Sequence, residues 1–420
     1  MENNVEHIVR YKKTKIGLIP DDWNIYILKD ILEEYKLGGN YANSDNYYNT
    51  PLIKMGNLGR GHITLDKIEY LRENESINED DLLNYGDVLF NTRNTLELVG
   101  KVAIWKNELE KAVYNSNILR LKFNELVRSN FFMNYCLNSY SSIKELRRIA
   151  TGTTSVAAIY TKDLLKIKIA LPPLPEQQKI ANILSDWDTA IENVQTLFEK
   201  LQLRKKGFMQ QLLTGRERLP GFSEDWRKVR IKEIATQFTD KNKDNDEIEV
   251  LSCTKYDGLV RSLDYFGRKV FGDDLSKYKI VPSGYFAYAT NHIEEGSIGY
   301  QNLMEKGLVS PMYTVFKTDE VINDSFMYRL LKTDRMIYKY QSNMSGSITR
   351  RGGLRWNVFE TIIVNIPSLA EQNALADFFD IIDKEIDQSE KYLKQLRVQK
   401  KGLMQQLLTG KIRVNTNINE

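Results

Sequence analysis

Two stretches of the chain carry the same hydrophobic rhythm. In the first, Ile180, Leu184, Trp187, Ile191, Val194, Phe198 and Leu201 recur at alternating intervals of four and three residues. In the second, Leu375, Phe379, Ile382, Ile386, Ser389, Leu393 and Leu396 repeat the pattern, with Ser389 as a polar interruption. Such spacing puts apolar side chains along one stripe of a helix and predicts two long helices that pair through it. The first, residues 176–213, would be about 57 Å long at about 1.5 Å per residue. Pro172, Pro173 and Pro175 precede it and Pro367 precedes the second, while Thr214-Gly215 and Thr409-Gly410 supply glycine stops. Gly207 and Gly402 fall inside the helices near the repeated Lys-Lys pair, where glycine allows a kink or a close approach.

Elsewhere the rhythm shortens. Runs such as PLIKMGNLGRGHITL (51–65) and EVLSCTKYDGLVRSL (249–263) alternate over a few residues and are punctuated by glycine, which predicts strands. Each strand-rich region opens on an acidic pair before tryptophan, IPDDW (19–23) and LPGFSEDW (219–226). Each closes on a polar, glycine-flanked loop, ATGTTSVAAIY (150–160) and MSGSITRRGGLRW (344–356). YGDVLFNTRN (85–94) is echoed by SGYFAYATNH (283–292); placing Gly86 on Gly284 sets Thr92 on Thr290 and Arg93 on Asn291. The order is globule, helix, globule, helix, with boundaries at 1–170, 171–215, 216–365 and 366–420. The fold class expected is α+β: two mixed, mainly β globules with curved, largely antiparallel sheets, and two long helices that pair side by side.

The helices are nearly a duplication. KKGFMQQLLTG (205–215) recurs as KKGLMQQLLTG (400–410), and residues 176–215 align with 371–410 without a gap, 16 of 40 positions being identical. A chain that repeats one unit at a fixed offset is expected to meet its target twice at a fixed separation.

Composition narrows the class. At 420 residues, 42% hydrophobic and 27% charged, the chain is long enough for two cores and ordinary for a soluble protein. No stretch reaches the roughly 18 apolar residues that span a bilayer, and the N-terminus has no apolar signal core, so the cytoplasm is the expected location and no membrane partner is expected. Cys136 and Cys253 are too few for a disulfide scaffold, and His7, His62 and His292 are scattered, so no metal site is expected. A net charge of +3 leaves any affinity for nucleic acid to local patches.

Catalytic hardware is missing from the sequence. There is no G-x-x-x-x-G-K-[ST], no G-x-S-x-G, no H-E-x-x-H, and no Asn-Pro-Pro-Tyr or Asp-Pro-Pro-Tyr string. Recognition fits better. Polar loops that mix Arg, Lys, Asn, Thr and Tyr with glycine let the backbone approach phosphate, arginine can fork onto guanine, and asparagine can do so onto adenine. The candidates are Lys54, Asn57, Arg60, Asn91, Thr92, Arg93, Thr153 and Thr154 in the first globule. In the second they are Lys255, Tyr256, Thr290, Asn291, His292, Arg350, Arg351 and Arg355. A basic run comprising Arg204, Lys205, Lys206, Arg216, Arg218, Arg227, Lys228 and Arg230 is suited in part to a helix C-terminus and in part to a duplex backbone.

LPPLPEQQKIANIL (171–184), its echo IPSLAEQNALADFF (366–379) and the twice-used KKGxMQQLLTG resemble the specificity subunit of type I restriction–modification systems. The resemblance covers nearly the whole chain and implies a non-catalytic DNA reader. Each globule would be a target recognition domain reading one half of a split double-stranded target. The antiparallel helices would hold the two apart with pseudo-twofold symmetry. The helices would also dock two modification subunits, through seam residues such as Leu184, Trp187, Ile191, Phe198, Phe379, Ile382, Ile386 and Leu393. S-adenosylmethionine on the modification subunits, and ATP and Mg on restriction (translocase) subunits, would supply the chemistry, with no cofactor in this chain. Two other readings are compatible with the residues. One is a stand-alone DNA-binding regulator that dimerises through its helices; the other is a coiled-coil scaffold whose globules bind protein.

Overall fold

The computed structural model describes residues 10–46, 48–344 and 353–416. The chain divides into two units, Met1–Gln195 with Tyr392–Glu420, and Thr196–Lys391. The divisions fall inside the two long helices, Leu174–Leu212 and Leu369–Leu407, each 39 residues. Each unit therefore takes half of each helix, and the first is closed by the C-terminal part of the chain.

The first unit is built on an antiparallel sheet in the order Val102–Ile104, Val88–Asn91, Ile118–Phe123, Leu32–Leu37. Successive side chains of a strand face opposite ways, and the central strand shows it. Val88 and Phe90 join one apolar cluster with Phe132, Ile180, Leu184 and Leu407, while Leu89 joins another with Ile53, Trp105 and Tyr114. Both faces are covered, so this strand reads as a continuous apolar run. The helices Asn130–Leu137 and Tyr140–Ile149 follow, capped by the Ser129 and Ser139 hydroxyls, which accept from the Phe132 and Ser142 amides.

The second unit repeats the plan. Its sheet runs Ile298–Tyr300, Phe286–Ala289, Tyr313–Thr318, Ala235–Phe238. Phe286, Tyr288 and Phe316 lie in a cluster with Leu212, Leu375 and Phe379, and Ala287 and Val315 lie in a cluster on the other face. In both units a short strand feeds the long helix, Lys168–Leu171 beside Asn24–Ile27 and Ile363–Ile366 beside Arg227–Arg230.

Within each unit the helix halves run antiparallel. In the first, Glu176, Asp188 and Gln195 meet Arg413, Lys400 and Arg397; in the second, Arg204, Lys205 and Arg218 meet Glu385, Asp383 and Glu371. Of the predicted seam, Leu184, Phe379, Ile382 and Leu393 are buried, while Trp187, Ile191, Phe198 and Ile386 are half-buried. Both helices continue through Gly207 and Gly402, and a Cβ at either would meet nothing within 4 Å. Among the described residues no helix is long and apolar enough to cross a membrane.

Candidate nucleic-acid interface

The repeated residues meet each other. In the first unit the buried Glu176 accepts from Arg413 Nε and Nη2, both at 2.8 Å, and from Trp23 Nε1 at 3.2 Å. Arg413 also donates to Asp22. In the second, the buried Glu371 accepts from Arg218 Nε at 2.6 Å, and the guanidinium lies 5.7 Å from the Trp226 ring centre. Each arginine lies three residues past a helix-stopping glycine, and Gly215 and Gly410 take the left-handed φ of +71° and +68° that a helix stop requires. Trp23 and Trp226 pack over those glycines, which accounts for the tryptophan in both openings. The first lysine of each KKG pairs likewise, Lys400 with Asp188 and Lys205 with Asp383 at 2.6 Å. The following glutamine closes the globule onto its helix: Gln177 accepts from the Arg128 amide and donates to Leu126 and Pro172 oxygens. Gln372 does the same with Asn323, Val321 and Pro367. Arg204, Lys205 and Arg218, read from sequence as part of a basic run for a duplex, are thus tied to carboxylates of the other helix; Arg216, Arg227, Lys228 and Arg230 are exposed.

A second repeated tether sits at the end of each central strand. The Thr92 amide and hydroxyl both donate to the Asn117 oxygen, at 3.0 and 2.8 Å, and the Thr92 oxygen accepts from Ile159 at 2.9 Å. The Thr290 amide and hydroxyl donate to the Met312 oxygen, at 3.4 and 2.8 Å, and its oxygen accepts from Leu354 at 2.8 Å. The sequence echo of Thr92 and Thr290 is therefore a real equivalence, but of framework, since both hydroxyls are spent internally.

Several other candidates are turned inward. Asn57 is buried, accepting from the Lys54 amide and donating to Thr64 and Lys67 oxygens. Lys54 is paired with Glu69 at 2.9 Å, and Arg60 leans on the Glu97 oxygen. Asn91 is fully buried, its side-chain oxygen held by the Arg93 amide and its Nδ2 left without a partner among the described residues. These polar residues look from sequence like groups for a ligand, but strand ends and turns need side-chain partners of the same kind. His292 lies with Glu294 and Glu295, their ligand atoms within 4.8 Å of one another, an acidic setting that opposes a phosphate.

What remains outward is a smaller set. The strand Arg93–Asn94 pairs with Ala157–Ala158, which pairs with Thr151–Gly152, so the 150–160 loop is a hairpin laid beside Arg93. Gly152, at φ +123°, would drive a Cβ into the Val156 oxygen, so the tight turn needs glycine there. Arg93, Thr153 and Thr154 are exposed together on this edge, and Leu96 donates to the Thr154 oxygen. In the second unit Asn291 and Arg355 are exposed. Lys255 and Tyr256 are exposed beside a cleft of about 350 Å³ that also holds Lys205, Arg329 and Lys332. Burial holds the Lys332 ammonium below the usual lysine range, although the Tyr328 ring lies 5.5 Å away. Arg350 and Arg351 lie outside the described residues.

The comparison with known proteins decides what this architecture is. The model of the type I restriction modification DNA specificity domain matches twice, over residues 20–203 and 223–397. The chain belongs to the type I restriction–modification specificity family. It is 28% identical to a Methanocaldococcus jannaschii protein named for the specificity subunit of the type I restriction enzyme MjaX, over 97% of both chains. It is 26% identical to the MjaVIII specificity subunit of the same organism, over 96% of this chain and 95% of that one. Its fold is shared with the type I restriction–modification S subunit from M. genitalium, with TM-score 0.53, 16% identity, and coverage of 92% and 96%. A chain from a type I R-M system solved for its complex assembly and conformational transition gives TM-score 0.56 at 15% identity, covering 94% and 99%.

Each unit thus carries one target recognition domain of the family. Sequence reasoning missed Asn117, Met312 and Tyr160, which flank the two threonine tethers. No motif marks them, because only the pairings within each unit bring Asn117 and Tyr160 to Thr92 and, separately, Met312 to Thr290.

Proposed function

We propose that this chain is the DNA-reading, non-catalytic subunit of a type I restriction–modification complex, each recognition domain reading one half of a bipartite double-stranded target. The observation that carries this reading is that one framework, with the same Glu–Arg, Lys–Asp and threonine tethers, is built twice, while the outward residues on it differ. A repeated frame with different faces suits a target whose two halves have different sequences.

Docking belongs to the part that stayed identical. Lys206 and Lys401, and Gln211 and Gln406, are exposed at equivalent places, and a Cβ added at Gly207 or Gly402 beside them would meet nothing within 4 Å among the described residues. Internal packing does not require these identities, whereas two copies of one partner would. That partner is an adenine methyltransferase subunit carrying S-adenosylmethionine, joined in the full complex by restriction subunits using ATP and Mg. The test is reconstitution. The chain alone should methylate nothing; with the methyltransferase subunit it should take up two copies and methylate adenines in one asymmetric split motif. Full-strength sequence-specific binding by the chain alone, with no methyltransferase taken up, would instead favour a stand-alone regulator.

A further inference from the structure

The two threonine tethers hold three outward positions in each unit. One follows the threonine, Arg93 or Asn291. One supplies the oxygen that the threonine binds, Asn117 or Met312. One lies directly after the residue whose amide binds the threonine oxygen and caps a four-residue helix, Tyr160 before Thr161–Leu164 or Arg355 before Trp356–Phe359. In the first unit these three side chains line one cleft of about 300 Å³ together with Ser116 and Thr161. Asn117 is half-buried and the other five side chains are exposed.

Among the described residues no internal hydrogen bond occupies the Arg93 guanidinium, the Asn117 side-chain carboxamide or the Tyr160 hydroxyl, the Asn117 backbone amide being held by Asn115 Oδ1 at 3.2 Å; Lys162 lies over the Tyr160 ring at 5.9 Å. The Asn291 amide and the Arg355 guanidinium have none either, and neither Tyr160 nor Arg355 uses its side chain to cap the helix that it precedes. Polar side chains left unpaired around a rigid backbone knot are free to meet another molecule. Their backbone positions are fixed in the same way in both units, yet their chemistry differs at all three: arginine, asparagine and tyrosine against asparagine, methionine and arginine. We infer that these three positions are the sequence-determining contacts of each recognition domain, Arg93, Asn117 and Tyr160 for one half-site and Asn291, Met312 and Arg355 for the other.

This rests on the reading of the chain as a DNA-specificity subunit and says where that specificity is encoded. Arginine forks onto guanine O6 and N7, asparagine onto adenine N6 and N7, and an apolar side chain takes the thymine methyl. The first domain therefore offers groups for a guanine and an adenine; the second offers groups for an adenine, a thymine and a guanine.

The experiment uses the chain assembled with its methyltransferase subunit and maps methylated adenines on genomic DNA. Arg93→Lys and Asn117→Ala should relax base choice in one half of the motif by roughly 5- to 150-fold per position, leaving the other half unchanged. Asn291→Ala and Arg355→Lys should do the reverse. The lysine variants keep the charge, so affinity for non-specific duplex should stay within about twofold while discrimination falls. Transferring the second set onto the first, as Arg93→Asn with Asn117→Met and Tyr160→Arg, should change the bases chosen in that half alone. If well-folded variants methylate the wild-type motif with unchanged discrimination, the three positions are not the readers, though the chain is still a specificity subunit. If the wild-type complex itself methylates no defined motif, the parent reading fails instead.

Discussion

At the residue scale, the same side-chain chemistry serves frame and surface, and burial separates the two roles. Thr92 and Asn57 have the composition of DNA contacts but are consumed by the backbone around them, and Asn91 is buried beside them. Lys332 shows a cost of the opposite kind. Its side chain is half-buried, its ammonium donates to the Ile298 oxygen at 3.4 Å, and its pKa is lowered by burial; Lys205 lowers it further, while Cys253 and Asp257 oppose the shift. Because the folded value lies below the unfolded one, about 10.4, the unfolded chain binds more protons between the two values. Stability therefore rises with pH through that window. Lys332→Met should raise the melting temperature of the chain at pH 7, with an advantage that shrinks toward pH 10. A variant whose advantage is flat with pH would show that the ammonium is not the cause.

At the element scale, the long helices are held by a narrow stripe and by their ends. Heptad spacing makes Leu184, Phe379, Ile382 and Leu393 legible as seam residues. It cannot show that Trp187, Ile191, Phe198 and Ile386 stay half-buried, since that depends on how closely the opposite helix approaches. Phe379 is fully buried against Phe286 and Leu212 in one cluster, whereas Leu203 is 71% exposed. Phe379→Ala should cost about 3–5 kcal/mol, and Leu203→Ala should stay within about 0.5 kcal/mol, both read from urea unfolding of the second unit. A comparable loss at Leu203 would mean that the seam has been assigned to the wrong stripe.

At the scale of the whole molecule, sequence order and structural unit do not coincide. The first unit is completed by Tyr392–Glu420, which contributes Leu407 to its core, Arg413 to the buried Glu176 and Lys400 to Asp188. Ending the chain after residue 391 leaves a buried carboxylate without its cation, a costly state. Hydrogen exchange on such a chain should show protection lost across the first recognition domain and kept across 196–391, whose elements are all present. Equal protection in both would refute the shared closure.

The sequence by itself determined the duplication, the two helices and their apolar stripe, the two strand-rich globules and the family, because each is written in short-range periodicity or in strings that match at one offset. Tertiary structure decided what the repeated residues are for. Glu176 and Arg413 are 237 positions apart, Glu371 and Arg218 are 153 apart, and no local pattern links either pair. It also decided which polar loop residues face outward, because burial and hydrogen bonding depend on strands that are distant in the chain. A threonine at a strand end looks the same in the sequence whether its hydroxyl meets a base or, as at Thr92, a carbonyl oxygen 25 residues away.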